Sequence, residues 1–328
     1  MSSDVYLLPL EKKEKLPEII KKLFPYQTCA IKLHFGEKGN KTYLDPKIAK
    51  IVYNCFNRAV LMDSNVLYVG SRTKTKDHIN TAKDHGFDFA PIVIADDDGE
   101  IEIDVDLDHF DKIKLGKAIN DYNNIVVLSH FKGHGASGYG GAFKNLGMGL
   151  GSRAGKLAMH SKVSPSIDID KCVACGRCVE HCPAKAINIK DYAKIDSEKC
   201  IGCAGCITEC PEGAVKIPFD GATAKEIQQR IVEYAYGAIK NKNLIYINVL
   251  QNITKLCDCT SNPGKPLCDD IGILISKDPV AIDKCSLDLS KKLGNIDFKD
   301  LNDIDPYVQI KYAEKIGLGT RDYKIKEK

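Results

Sequence analysis

Short runs of mainly apolar residues, bounded by polar or turn-forming ones, recur along the chain. Val5–Leu8, Cys29–Leu33, Ala59–Met62, Pro91–Ile94 and Ile125–Leu128 come before residue 130, and Leu244–Leu250 and Ile271–Ile275 come after residue 240. All seven read as strands. Longer segments between them read as helices. Asp45-Pro46 ahead of Lys47–Arg58 supplies an N-cap and a proline at the first helical position, and Asp278-Pro279 opens Pro279–Leu293 in the same way. Thr223–Ile239 is similar. Strands alternating with helices predict an α/β fold with a mainly parallel, doubly wound sheet. Near Glu100–Asp108, apolar residues alternate with acids, as in an exposed antiparallel or edge strand.

One stretch breaks the pattern. Cys172-Val-Ala-Cys175-Gly-Arg-Cys178-Val-Glu-His-Cys182-Pro183 and Cys200-Ile-Gly-Cys203-Ala-Gly-Cys206-Ile-Thr-Glu-Cys210-Pro211 are one unit repeated 28 residues apart. Both follow C-x2-C-x2-C-x3-C-P, the spacing of bacterial ferredoxins that carry two 4Fe-4S clusters, where the fourth cysteine of each run serves the other cluster. Cys172, Cys175, Cys178 and Cys210 are then expected to hold one cluster, and Cys200, Cys203, Cys206 and Cys182 the other. Small residues between the thiols let backbone N–H groups approach the cluster sulfurs. Zinc ribbons also use C-x2-C pairs, but seldom chain three such thiols and end in C-P twice. The expected organisation is an α/β domain in two parts, 1–165 and 221–328, with an α+β two-cluster ferredoxin domain at 166–220 between them.

The chain has 328 residues and 14 cysteines, eight of them in the double run and three more at Cys257, Cys259 and Cys268. Thiols clustered in a long chain without a recognisable export signal read as metal ligands in a reducing, cytoplasmic setting rather than as disulfides. Cys257-Asp-Cys259 with Cys268 could hold a third iron-sulfur cluster, or a metal ion with Asp or His as a further ligand. Cys29, Cys55 and Cys285 sit in apolar contexts and read as core residues. A net charge of +3 argues against a nucleic-acid partner. No apolar run reaches the roughly 20 residues of a membrane span.

In open α/β sheets, ligands bind beyond the carboxyl ends of the strands. Five predicted strands run into chemically useful residues there: His34; Asp63 and Asn65; Ser129, His130, Lys132 and His134; Cys257 and Cys259; and Ser276 and Asp278. Together they predict one pocket. The densest segment, His130 to Arg153, holds eight glycines from Gly133 to Gly151 and reads as a loop able to form an anion nest, with Lys144, Arg153 and Lys156 at hand for a phosphate or carboxylate. His34, His130, His134 and His160 are candidate ligands or proton-transfer groups.

These residues resemble the family called domain of unknown function 362. The resemblance rests on Lys32-Leu-His34-Phe-Gly-Glu, Asp63-Ser-Asn65-Val-Leu-Tyr-Val-Gly, Ser129-His-Phe-Lys-Gly-His134, Gly140-Gly-Ala-Phe-Lys-Asn-Leu-Gly-Met-Gly, Cys257-Asp-Cys259, Asp270-Ile-Gly-Ile-Leu and Asp278-Pro-Val-Ala-Ile-Asp283. It implies an α/β domain with an inserted two-cluster ferredoxin and supplies no reaction. The expected function is an oxidoreductase or electron-transfer protein of anaerobic metabolism. His34, His130 and His134 would bind or protonate the acceptor, while Lys144 and Asn145 would orient an anionic group. The expected partners are a redox protein or low-potential electron carrier and a small anionic substrate, with homo-oligomerisation compatible. Two alternatives are a metal- or sulfur-handling protein working through Cys257 and Cys259, and a docking module without its own catalysis.

Overall fold

A computed structural model describes residues 2–161, 163–219 and 221–328. Eight strands form the central sheet: β1 (Ser3–Leu8), β2 (Thr28–Lys32), β3 (Arg58–Asp63), β4 (Ile92–Ile94), β5 (Asn124–His130), β6 (Asn243–Leu250), β7 (Gly272–Ser276) and β8 (Tyr323–Glu327). Their order is β8-β1-β7-β6-β5-β2-β3-β4. The run β6-β5-β2-β3-β4 is parallel, and β1 is parallel to β8. Only β7 is antiparallel to both of its neighbours. The fold is therefore mixed α/β with a large, mostly parallel sheet. Strands β5 and β6 pair from Asn124↔Asn243 to His130↔Val249, so segments before and after the cysteine-rich stretch share one sheet.

The period-2 alternation of each strand feeds two apolar layers. Val5, Ala30, Met62, Ile125, Val127 and Leu274 face one way, and Leu8, Ile31, Leu61, Val126, Leu128 and Ile273 face the other, all fully buried. The second face is covered by α1 (Leu16–Leu23) and α2 (Pro46–Tyr53), with α3 (Thr75–Asp84) beside them. The first face is covered by α4 (Ala142–Leu150), α6 (Ala224–Ile239), α7 (Pro279–Gly294) and α8 (Tyr307–Lys315), with α5 (Arg153–His160) following α4. The Asp45, Thr223 and Asp278 side chains cap α2, α6 and α7.

Glu100–Asp104 is an antiparallel strand, as expected, paired with Lys112–Gly116 in a separate hairpin and not at an edge of the main sheet. Two expectations change. The glycine-rich stretch is not a nest-forming loop. It is a short hairpin, Lys132–His134 with Gly138–Gly140, followed by helix α4. Its glycines serve close packing: a Cβ on Gly147 would stand 2.1 Å from the Ile231 carbonyl oxygen of α6, and one on Gly149 would stand 2.6 Å from Lys32 Nζ. Finally, because β7 runs antiparallel, Ser276 and Asp278 lie at the opposite end of the sheet from the other strand termini. Asp278 accepts from the Val280 and Ala281 N–H groups and caps α7.

The α4–α6 contact yields a test. Gly147→Ala should destabilise the protein by about 2 kcal/mol through overpacking. Gly135→Ala, whose Cβ would meet only Leu256 at 3.9 Å, should stay within about 0.5 kcal/mol. Urea denaturation of both variants checks the difference.

Candidate functional site

Parallel strands β2, β3, β5 and β6 end on the same side of the sheet, and the segments after them close around a cavity of about 140 Å³. Lys32, His34, Asp63, His130, His134, Lys144, Lys156, His160, Cys257, Asp258 and Cys259 are among its lining residues.

The segment carrying Cys257 and Cys259 is held by the residue between them. Asp258 is 5% exposed. It accepts from Lys132 Nζ at 2.7 Å, from His130 Nδ1 at 2.8 Å and from Asn40 Nδ2 at 3.3 Å, and its carbonyl accepts from the Glu37 N–H. Burial alone would raise its pKa, but the His130 and Lys132 charges outweigh that and hold the carboxyl well below the usual range. His130 also donates through Nε2 to the Gln251 carbonyl at 2.6 Å. With both ring nitrogens facing acceptors, it anchors this loop and has no nitrogen left for a ligand.

A second buried network ties β2 to β3. Lys32 Nζ donates to Asp63 Oδ1 at 2.9 Å, Asn145 Oδ1 at 2.8 Å and the Leu33 carbonyl. Arg72, 1% exposed, donates to Glu37 and Tyr68 and stands 3.6 Å from Asp63. Burial opposes ionisation of Asp63, and the neighbouring Lys32 and His78 more than offset it, so its pKa lies well below the ordinary value. Asn145 donates to the Lys32 and Leu128 carbonyls and to Ser129 Oγ. Asn145 lines the cavity, but its amide is taken up by protein groups that tie the strand ends together. Asn65 bonds Thr75 and lies outside the cavity wall. Arg153 donates to the Thr73 carbonyl and is likewise outside.

Lys144 and Lys156 differ from Lys32. Burial lowers both to about 8. Lys156 donates to Ser64 Oγ and the Gly151 carbonyl, while Lys144 Nζ donates to Cys257 Sγ at 4.0 Å. Neither forms an ion pair with a carboxylate among the described residues. His34, His134 and His160 stay neutral: burial, then nearby cations, pushes His34 and His134 well below their ordinary value and His160 to about 4. His34 Nδ1 accepts from the Gly36 N–H, and His134 Nδ1 accepts from the Ala136 and Ser137 N–H groups. Their protons are thereby placed on Nε2, which is a donor. Counting Lys and Arg against Asp on the lining gives Lys32, Arg72, Lys144 and Lys156 against Asp63 and Asp258. The cavity is cationic and rich in donors.

His134, Cys257 and Cys259 offer ligand atoms within 4.8 Å of one another, and the two cysteines are joined as a disulfide. Cys268 does not join them. It packs against the first apolar layer, its sulfur 2.9 Å from where a Cβ on Gly294 would stand. Sequence reasoning missed Arg72, which comes from an aperiodic turn with no spacing to flag it. It also passed over Lys32 as a charged centre, since a lysine in an apolar strand announces burial but not its partner.

The double cysteine run folds into two small antiparallel pairs, Ser166–Ile167 with Val215–Lys216 and Ile187–Ile189 with Ala193–Ile195, and two short helices, Arg177–Glu180 and Gly205–Glu209. The sequence repeat is also a conformational one: positive φ occurs at Ala174 and Gly176 and again at Gly202 and Ala204. Cys172, Cys175, Cys178 and Cys210 line one small cavity, and Cys182, Cys200, Cys203 and Cys206 line another. All eight are free thiols. Backbone N–H groups of Ala186, Ala193 and Ala214 donate to Cys182, Cys172 and Cys210 sulfurs at 3.2–3.4 Å.

Fold and site define an α/β protein with a cationic cavity at its strand ends and a twice-repeated four-cysteine segment. The chain belongs to the family described as Domain of unknown function (DUF362), whose model matches residues 29–288. No curated protein matches it. Among solved structures, a Thermotoga maritima protein aligns at 10% identity with a TM-score of 0.44, covering 88% of this chain and 58% of its own. The lactate racemase apoprotein from Thermoanaerobacterium thermosaccharolyticum aligns at 10% identity with a TM-score of 0.36, covering 76% of this chain and 51% of its own. The chain thus spans between half and two thirds of those proteins. Among the described residues no helix is long and apolar enough to cross a membrane.

Asp258→Asn keeps the shape but leaves His130 and Lys132 without their anion, and should cost about 3 kcal/mol. Because the folded carboxyl is depressed, the deficit is full above the unfolded value of about 3.9 and shrinks as pH falls toward the folded one. Denaturant midpoints at several pH values measure it.

Proposed function

We propose that this protein is an iron-sulfur oxidoreductase of anaerobic metabolism, with a ferredoxin-type domain at 166–220 set between the two parts of an α/β domain, 1–165 and 221–328. One observation carries the reading. The eight cysteines fall into two cavities of four, each drawing three thiols from one run and the fourth from the other. That is the partition a pair of 4Fe-4S clusters needs. The N–H donors aimed at Cys172, Cys182 and Cys210 fit cluster thiolates, which backbone amides stabilise. When bound, such clusters carry single electrons; the partner supplying them would be a low-potential carrier protein.

The strand-end cavity is the destination. Buried ammonium groups at Lys144 and Lys156 and the His34 and His134 Nε2–H donors favour a small anion. A neutral histidine holding its proton on Nε2 offers a hydrogen bond to the acceptor, and Lys144 and Lys156 offer charge. Leu67 links the two places: it lines the cavity and belongs to the same apolar cluster as Cys178, Cys206 and Ile207 of the cysteine-rich segment.

A second reading, a metal- or sulfur-handling protein, draws on the proximity of His134, Cys257 and Cys259. Against it, the lone pair at His134 Nδ1 is taken by two backbone N–H groups, and Nε2 carries the proton.

Anaerobically purified protein should contain about eight irons, and Cys178→Ser or Cys206→Ser should each lose about four. Iron and sulfide analysis with EPR of the reduced protein checks this; protein without iron, or with zinc alone, overturns the reading. Anion affinity, measured by calorimetry with sulfate, whose charge is constant over this range, should be flat from about pH 5 to about pH 7. Above pH 8 it should fall by up to about a hundredfold per pH unit as Lys144 and Lys156 deprotonate, and Lys144→Met should reduce that to the single step left by Lys156.

A further inference from the structure

The disulfide between Cys257 and Cys259 spans residues only two apart. Cross-links stabilise chiefly by removing loop-closure entropy from the unfolded chain, and that contribution shrinks with loop length. A bond closing so small a loop fastens almost nothing, and this loop is already fastened by Asp258 through His130, Lys132, Asn40 and Glu37. The other eight clustered cysteines are free thiols, so the pairing is local to this site. Disulfides without a structural task in thiol-rich proteins are typically redox-active.

The surroundings fit that task. Both sulfurs belong to the wall of the cationic cavity, with Cys257 at 9% exposure and Cys259 half-buried. Lys144 Nζ stands 4.0 Å from Cys257 Sγ, where an ammonium favours the thiolate. His134 lies against the pair with its Nδ1 lone pair occupied, so it offers a donor to sulfur and not a ligand to a metal. Phe219, near the end of the cysteine-rich segment, and Leu67, a member of that segment's apolar cluster, line the same cavity as the pair.

We propose that Cys257 and Cys259 form a dithiol–disulfide couple that gathers electrons entering singly through the cysteine-rich segment and delivers them in pairs to an anionic acceptor in the cavity. This rests on the iron-sulfur reading above. On reduction, the S–S bond takes up two electrons from a low-potential one-electron donor and breaks. The Cys259 sulfur takes one proton from solvent, and the Cys257 sulfur remains a thiolate beside Lys144. Reoxidation re-forms the S–S bond and returns two electrons and one proton to the acceptor. Lys144 is a positioning residue for the thiolate.

Anaerobic titration of the full iron-loaded protein with titanium(III) citrate tests the couple. Acid quenching, N-ethylmaleimide labelling and peptide mapping follow each stage. Wild type should take up about four electrons, and Cys257→Ser or Cys259→Ser about two. The wild-type peptide carrying both cysteines should pass from unlabelled to doubly labelled. Lys144→Met should slow alkylation of reduced Cys257 at neutral pH by about tenfold without changing the electron count. A wild-type peptide already doubly labelled before reduction, or one released with a stoichiometric metal ion, overturns the proposal. The two readings fail separately. About eight irons with a peptide that never changes defeats the couple alone, whereas a peptide that changes in protein lacking iron defeats the iron-sulfur reading and the relay through it.

Discussion

The Asp258 carboxylate, buried between His130 and Lys132, is the contact on which the site depends. It joins the end of β5 to the segment after β6, and through Asn40 and Glu37 it reaches the segment after β2. Three chain segments far apart in sequence meet on one charged group. A buried ion pair is a poor source of net stability, because desolvation consumes most of the attraction, but it is costly to break. Its effect here is positional: with Asp258 fixed, the flanking Cys257 and Cys259 have little freedom and face the cavity. The Lys32–Asp63 pair does the same for β2 and β3 on the other side.

Around these clamps, close backbone approach decides what the glycine-rich segment does. Gly147 lets α4 lie against the Ile231 carbonyl, and Gly149 leaves space for the Lys32 side chain. Gly133 lies where a Cβ would stand 2.2 Å from the Lys255 carbonyl oxygen, under the cysteine-bearing loop. Asp283 of α7 accepts the Ala142 and Phe143 N–H groups at the start of α4 and so ties that helix to its neighbour in the same layer. Lys144 reaches the cavity because α4 is seated this closely.

Much of this was legible in the chain. Seven apolar runs became strands within a residue or two, since burial on both faces of a mostly parallel sheet leaves no polar alternation to obscure them. Strand β8, Tyr-Lys-Ile-Lys-Glu, escaped because it is an exposed edge strand with charged residues at alternate positions. The direction of β7 was the consequential miss, since it removed Ser276 and Asp278 from the pocket. A parallel neighbour needs a crossover helix, and no helix lies between Leu250 and Gly272; that missing helix was the readable sign. The cavity's polar residues were read as independent ligands because sequence shows residue types and not partners. His130 and Asn145 proved to be spent on protein groups, whereas Lys144 and His134 keep donors for the cavity.

That division of labour explains why a protein would carry so much buried charge. Lys32 and Arg72 have carboxylates beside them, but Lys144 and Lys156 do not among the described residues. An ammonium withdrawn from water without an anion costs free energy, which is why burial lowers both to about 8. A fold selected only for stability would replace such groups with apolar ones of similar size. Retaining them is favourable only if an anion, whether a bound molecule or a cysteine thiolate, supplies the missing charge. Lys144, one of the two ammonium groups that would hold an acceptor, also sits where a thiolate at Cys257 would need it, so anion binding and thiol chemistry share this charge and cannot be tuned independently.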